Sequence, residues 1–306
     1  MNPIVPPWTT RVDVRSLAAA LPAVQVVDAR ATASTALRLV DARFSLADPQ
    51  SGAAQYAAGH LPGAVHADLN RDLSNLSRQG HGRHPLPDSD VFAATLGRWG
   101  IGADTQVVVY DAGDGSMAAA RLWWMLRLLG HRNVAVLDGG LAAWQAAGFE
   151  VTAKETQVPA LPPYPGHFDM AQVVSAEEVA ARLSQPPGWL FDARAGERYR
   201  GEVEPLDRVA GHVPGALNRP LSLNLRDGRF RPAAELRAEL EPLLGAYSPG
   251  EAVMMCGSGV TACHLLLAFE IAGLNGARVF ADSWSGWSSD PARPVAKGAE
   301  PVENGE

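Results

Sequence analysis

"AAGHLPGAVHADL" (57–69) and "VAGHVPGALNRPL" (209–221) are two versions of one phrase, and that phrase decides how the chain is organised. Each follows an apolar run ending in Asp-Ala-Arg, "LRLVDAR" (37–43) in the first half and "WLFDAR" (189–194) in the second. The spacing agrees too: Asp41 to His60 is 19 residues, and Asp192 to His212 is 20. A β-rich run comes next in both, "QVVVYDAGDGS" (106–116) and "AVMMCGSGV" (252–260). Helical stretches follow, "AAARLWWMLRLLG" (118–130) and "CHLLLAFEIAG" (263–273). "NVAVLDGGLAAW" (133–144) and "ARVFADSWSGW" (277–287) close the two cycles. Matching segments in the same order mark a domain duplication. The proline-rich "VPALPPYPGHF" (158–168) reads as an extended linker, which gives an expected division into 1–150, 151–168 and 169–306. One further run, "VQVVDAR" (24–30), resembles the first strand; spacing to His60 selects 37–43 instead, and 24–30 keeps no role.

Within each cycle, short apolar runs such as "LVDAR", "AVHA", "VVVY" and "VAVL" alternate with helical patterns such as "PDSDVFAATLGRWG". This alternation predicts an α/β fold, with two mostly parallel sheets each covered by helices on both faces. Ligands of such sheets gather at the carboxyl ends of the strands, and "VMMC" (253–256) puts Cys256 at one of them.

The bulk numbers narrow the function classes. A 47% apolar content supplies a sizeable core, and 19% charged residues is too few for a disordered chain. The net charge of −7, with no dense Lys/Arg run, gives nucleic acid no attraction. Two cysteines make no disulfide framework, so a reducing compartment is expected. The opening "MNPIVPPWTTRVDVRSL" lacks the apolar core of a signal peptide, and the apolar runs are too short to span a membrane. The expectation is a cytoplasmic protein that binds neither membrane nor nucleic acid.

Cys256 is followed by Gly257-Ser258-Gly259, and a helix is expected from Val260–Thr261. Glycines let consecutive backbone N–H groups curl toward one centre, which forms an anion nest. The positive end of the helix favours a thiolate there, and a thiolate is the form that attacks a sulfane sulfur. The bland reading of Cys256 is a small buried hydrophobe. Cys263, two helical turns on and inside an apolar stretch, reads as core packing. In the first half, Asp111 occupies the position matching Cys256, and a carboxylate cannot carry sulfane sulfur.

The loop "CGSGVTAC" (256–263), the paired "GHLPGA"/"GHVPGA" turns and "DARAGERYRGE" (192–202) together resemble the tandem rhodanese-type sulfurtransferases, and within them the 3-mercaptopyruvate sulfurtransferases. The likeness covers roughly residues 10–290. It implies a non-catalytic first domain, a catalytic second domain, and sulfur transfer through a Cys256 persulfide without metal or cofactor. Ser258 is implied as a second catalytic residue, with Gly257, Gly259, Val260 and Thr261 cradling the substrate. The family's loop serine is supported by a first-domain histidine and an upstream aspartate. His60 is the candidate here, but nine residues before it stands Ser51. His60 and His212 also have a plain reading, each fixing its turn by a hydrogen bond.

The family's substrate arginine maps onto Arg198, whose planar guanidinium suits a carboxylate. The family's second arginine is missing in register, since this chain reads "EPLDR" (204–208), and Arg208 is the candidate replacement. Arg194 and Asp192 are expected to brace each other. Of Trp284 and Trp287 at least one is expected to wall the pocket, Trp284 being the candidate, with core packing as the competing reading of Trp287. The implied donor is 3-mercaptopyruvate. Thiosulfate-using relatives carry two basic residues after the nucleophile, where this chain has Gly257 and Ser258. Thiosulfate:cyanide sulfur transfer and a persulfide carrier or sulfide-sensing module are the alternatives. A phosphatase is disfavoured because Ala262 stands where C-x5-R chemistry needs arginine. The expected partners are a small sulfur donor and a thiol, cyanide or thioredoxin acceptor, served by a monomer.

Overall fold

The computed structural model describes residues 7–25, 37–113 and 118–299, so most of "VQVVDAR" lies outside the described residues. The chain forms two compact units. Unit 1 takes the chain up to Asn75, Leu86–Asp169 and Arg226–Phe230; unit 2 takes Leu76–Pro85, Met170–Leu225 and the chain from Arg231. The units follow the two sequence halves except for these exchanged short segments. Boundaries drawn at 150 and 169 do not capture that exchange.

Unit 1 holds strands β1 (Arg11–Val12), β2 (Leu37–Asp41), β3 (Ala64–His66), β4 (Gln106–Tyr110) and β5 (Val134–Leu137). They lie in the order β1-β5-β4-β2-β3, with every pairing parallel. Helices α1 (Val14–Gln25), α2 (Ser51–Ala58), α3 (Ser89–Arg98), α4 (Ala118–Leu128) and α5 (Gly140–Ala146) connect them. Every residue of β4 and β5 is buried, as a parallel strand covered on both faces requires. Leu17, Leu39, Val108, Tyr110, Leu137 and Trp144 form one side of the core. The 158–168 run packs along α3: Leu161 N donates to Gly97 O at 2.9 Å, and Tyr164 N to Ala93 O at 3.0 Å. A Cβ on Gly97 would stand 2.7 Å from Leu161 O, so glycine is what lets this segment lie so close.

Unit 2 repeats the plan with β6 (Val173–Val174), β7 (Leu190–Asp192), β8 (Leu217–Asn218), β11 (Val253–Met255) and β12 (Arg278–Phe280). Strands β9 (Leu225–Arg226) and β10 (Arg229–Phe230), of which all but Leu225 fall in the segment assigned to unit 1, form a separate two-stranded piece. Its sheet order is β6-β12-β11-β7-β8, again all parallel. The helices are α6 (Ala176–Ala181), α7 (Gly196–Tyr199), α8 (Ala233–Leu240), α9 (Ala262–Ile271) and α10 (Ser283–Trp287). Val179, Trp189, Leu190, Met255, Phe280 and Trp287 pack its core.

The repeated phrase performs one structural task in both units. Arg43 Nη2 donates to Asp41 Oδ2 at 2.6 Å and to Gly59 O at 2.7 Å. Arg194 Nη2 does the same to Asp192 Oδ2 at 2.6 Å and Gly211 O at 2.8 Å. The ion pair at the end of the strand thereby ties down the turn before the next one. His60 Nδ1 donates to Tyr56 O at 2.7 Å, and His212 Nδ1 to Tyr199 O at 2.8 Å. Each ring stacks on its tyrosine, with centroids 3.9 and 3.8 Å apart.

Candidate active site

The site is built where β11 ends. Cys256 is the first residue beyond the strand, and α9 begins at Ala262, so residues 257–261 must turn the chain through a tight arc. Gly259 makes this possible with φ of 75°; a Cβ there would lie 2.0 Å from Ala281 O. The loop is tied from outside by α10. Trp284 N donates to Cys256 O at 3.0 Å, and Ser285 N to Gly257 O at 2.9 Å. Cys256 N donates to the Ser283 hydroxyl at 3.1 Å. Among the described residues, the N–H groups of Gly257, Ser258, Val260 and Thr261 donate to no protein acceptor. Consecutive unused donors beside a thiol have the composition of an anion nest.

Cys256 and Cys263 are both buried, and neither forms a disulfide. Cys263 Sγ donates to Gly259 O at 3.3 Å, within a run of α9 that is buried all round. That is a packing environment. In unit 1, Asp111 follows β4 as Cys256 follows β11, and its carbonyl accepts from Leu141 N at 2.9 Å.

The partner of Ser258 is a residue the sequence did not single out. His84 Nδ1 lies 2.8 Å from Ser258 Oγ, and both side chains are buried. His84 arrives on Leu76–Pro85, the segment that belongs to unit 2. Gly82, with φ of 78°, allows its close approach; a Cβ there would be 2.6 Å from Asp282 O and 2.7 Å from Ser285 Oγ. Arg83 N then donates to Ser285 Oγ at 3.0 Å. His81 reaches Asp282 at 3.4 Å, where burial holds the carboxyl above its ordinary range and the imidazole opposes that rise.

His60 is not the residue at Ser258. Its ring is committed to Tyr56, in the same arrangement that His212 makes with Tyr199. An arrangement repeated in both units belongs to the fold. Trp284 is corrected likewise. Its side chain is fully buried, its indole donates to Val209 O at 2.9 Å, and Arg194 lies over its ring at 4.8 Å. Full burial leaves its ring no exposed face with which to wall a pocket. Trp287 sits in the core, in line with the competing reading.

Arg198, on α7, donates to Glu204 Oε1 at 2.6 Å and lies 3.5 Å from Asp207 Oδ2. Arg83 forms an ion pair with the other oxygen of Asp207. Both guanidinium groups border the loop: a Cβ on Gly257 would stand 3.0 Å from Arg83 Nη2 and 3.4 Å from Arg198 Nη1. Arg208 is exposed. Arg194 adds a third guanidinium: burial opposes its charge, but Asp192, Glu204 and nearby Cys256 outweigh this and hold it above its ordinary value. A buried thiol in a glycine loop, a Ser–His pair and flanking cations can bind an anion and move a proton beside it.

The rhodanese-like domain model matches residues 22–147 and again 175–290, which spans most of both units. The chain belongs to the rhodanese family. This rhodanese is 49% identical over 269 residues to a protein of Pseudomonas aeruginosa described as a probable 3-mercaptopyruvate sulfurtransferase, covering 86% of this chain and 93% of that one. It is 33% identical over 269 residues to the thiosulfate sulfurtransferase of Mus musculus, covering 86% and 89% of the two chains. It superimposes on the 3-mercaptopyruvate sulfurtransferase from Leishmania major with a TM-score of 0.77 at 30% identity, over 92% of this chain and 74% of that one. The rhodanese is thus a sulfurtransferase enzyme with tandem domains. Among its described residues, no helix is long and apolar enough to cross a membrane.

Proposed function

We propose that this sulfurtransferase takes sulfur from 3-mercaptopyruvate onto Cys256 and passes it to a small thiophilic acceptor. The observation that carries the reading is the Ser258–His84 hydrogen bond of 2.8 Å, two residues after the nucleophile, in a loop with no basic side chain of its own. The Cys256 thiolate attacks the donor sulfur, the S–S bond forms, and the C–S bond breaks. Its electron pair passes into the enolate of pyruvate. Ser258, relayed by His84, supplies the proton that quenches this charge, and Arg198 holds the donor carboxylate. The N–H groups of Gly257, Ser258, Val260 and Thr261 hold the persulfide anion. A thiol, cyanide or thioredoxin then attacks the outer sulfur and restores the Cys256 thiolate. The first domain carries no sulfur, because Asp111 stands at its nucleophile position. The reading places a monomer in the reducing cytoplasm, where Cys256 and Cys263 stay as thiols.

Thiosulfate is the rival donor, favoured by the murine relative's name. The ratio of kcat/KM for 3-mercaptopyruvate over thiosulfate decides between them, and a wild-type preference for thiosulfate overturns the proposal. Intact mass after donor treatment should rise by one sulfur atom in wild type and in Cys263→Ser, and stay unchanged in Cys256→Ser. Loss of the adduct in Cys263→Ser alone would reassign the carrier.

A further inference from the structure

The two guanidinium groups beside Gly257 come from distant parts of the sequence. Arg198 belongs to the segment that carries the substrate arginine in similar sequences. Arg83 belongs to the "GHGRHPLP" run (80–87), which has no such assignment. Arg208, the cation of the 204–208 run, is exposed. That run supplies carboxylates instead. Glu204 Oε1 accepts from Leu206 N at 3.1 Å and Asp207 N at 3.2 Å, which closes a turn and aims Asp207 at both arginines. Asp207 Oδ1 pairs with Arg83, while Oδ2 lies 3.5 Å from Arg198.

The arrangement is preorganised and incomplete. Arg83 is fixed through its own N–H to Ser285 Oγ at 3.0 Å, one residue before the histidine that meets Ser258. Yet Nε of Arg83, Nε of Arg198 and Oδ2 of Asp207 are buried without a hydrogen-bond partner. Unpaired buried donors are costly, and each guanidinium keeps one although Asp207 lies between them. These free donors favour an incoming carboxylate near Gly257, which the planar fork of arginine suits better than a lysine would.

We propose that Arg83 is the second substrate-binding cation of this active site, paired with Arg198 through Asp207, their shared counter-ion in the absence of donor. The donor's anionic group takes over the free donors of both guanidiniums next to the nucleophile. The identity of that donor rests on the reading above; the assignment of Arg83 does not.

Alkylation of Cys256 by iodoacetate, an anion, and by iodoacetamide, its neutral isostere, separates the two questions. Rates are followed by peptide mass in wild type, Arg83→Met and Arg83→Lys. Arg83→Met should slow iodoacetate by about tenfold to a hundredfold and leave iodoacetamide within about twofold. Arg83→Lys, the milder change, should fall between, because a point charge replaces the fork. With 3-mercaptopyruvate, KM should rise about tenfold or more while kcat stays within a few-fold. An unchanged ratio of the two alkylation rates overturns the proposal. So does an equal fall in both, which would make Arg83 a brace for the loop. If wild type does not turn over 3-mercaptopyruvate, the donor reading fails, and the alkylation ratio still decides Arg83.

Discussion

The Ser283 hydroxyl accepts from Cys256 N at 3.1 Å and donates to Phe280 O at 2.9 Å, while Ser283 itself holds φ of 52°. A side chain in that left-handed region costs on the order of 1 kcal/mol. The hydroxyl offsets this by satisfying the N–H of the nucleophile. Ser283→Ala keeps the strain and orphans the N–H, so urea unfolding should show a loss of about 1–3 kcal/mol. Ser283→Gly removes the strain as well and should lose less. A glycine variant less stable than the alanine one would contradict this account.

Gly257 and Gly259 should respond differently to alanine. At 259, the new Cβ meets the Ala281 carbonyl at 2.0 Å with φ of 75°, and backbone cannot step aside. Gly259→Ala should cost about 2 kcal/mol or more and abolish turnover. At 257 the nearest atom is Arg83 Nη2 at 3.0 Å, the far end of a flexible side chain. Gly257→Ala should leave the thermal midpoint within about 2 °C and raise the donor KM. Equal losses of stability would remove the distinction.

Ser258 and His84 should behave as one catalytic unit. Ser258→Ala, His84→Ala and the double variant should lower kcat to similar values, because either change already breaks the relay. The expected loss is about 100-fold or more. Multiplicative losses in the double variant would show independent roles.

The pH dependence of unit 1 should carry the mark of His131. Burial holds this imidazole below its ordinary 6.5. Its Nε2 donates to Asn133 O at 3.2 Å, and Nδ1 accepts from the Tyr164 hydroxyl at 3.1 Å, which describes a neutral ring. The unfolded chain therefore binds this proton more readily than the folded one. The contribution is fully present above 6.5 and is lost as the pH falls from there through the folded value. Urea midpoints between about pH 7.5 and pH 5.5 should decline less steeply in His131→Gln than in wild type. His66, lowered by burial in the same way, keeps the slope from vanishing.

The sheets were legible in the sequence because β2, β4 and β5 are apolar runs of strand length between helical patterns. β1 and β6 were not, since two residues are too few to show a period. The loop was legible because Cys256 and its glycines are adjacent in the chain. His84 was not, because 174 residues separate it from Ser258 and nothing local links them. The clue available was composition: "GHGRH" (80–84) packs two histidines and an arginine around glycines in a stretch without periodicity. His60 drew notice by standing in a repeated phrase. Repetition across a half that ends its strand in Asp111 pointed instead to the hydrogen bond and stacking that both histidines make. Trp284 misled in a similar way, since an aromatic whose backbone is tied to the loop can bury its ring in the core.

The membership of Leu76–Pro85 in unit 2 bears on how such a protein is inherited. A duplicated gene ordinarily stays divisible, and either copy can be lost, shuffled or fused elsewhere. Here a recombination breakpoint anywhere in the 151–168 run would leave Cys256 and Ser258 on one fragment and His84 on the other. The first half, in which Asp111 follows β4, carries the histidine that is hydrogen-bonded to Ser258 of the second. Parting the two copies would part that pair.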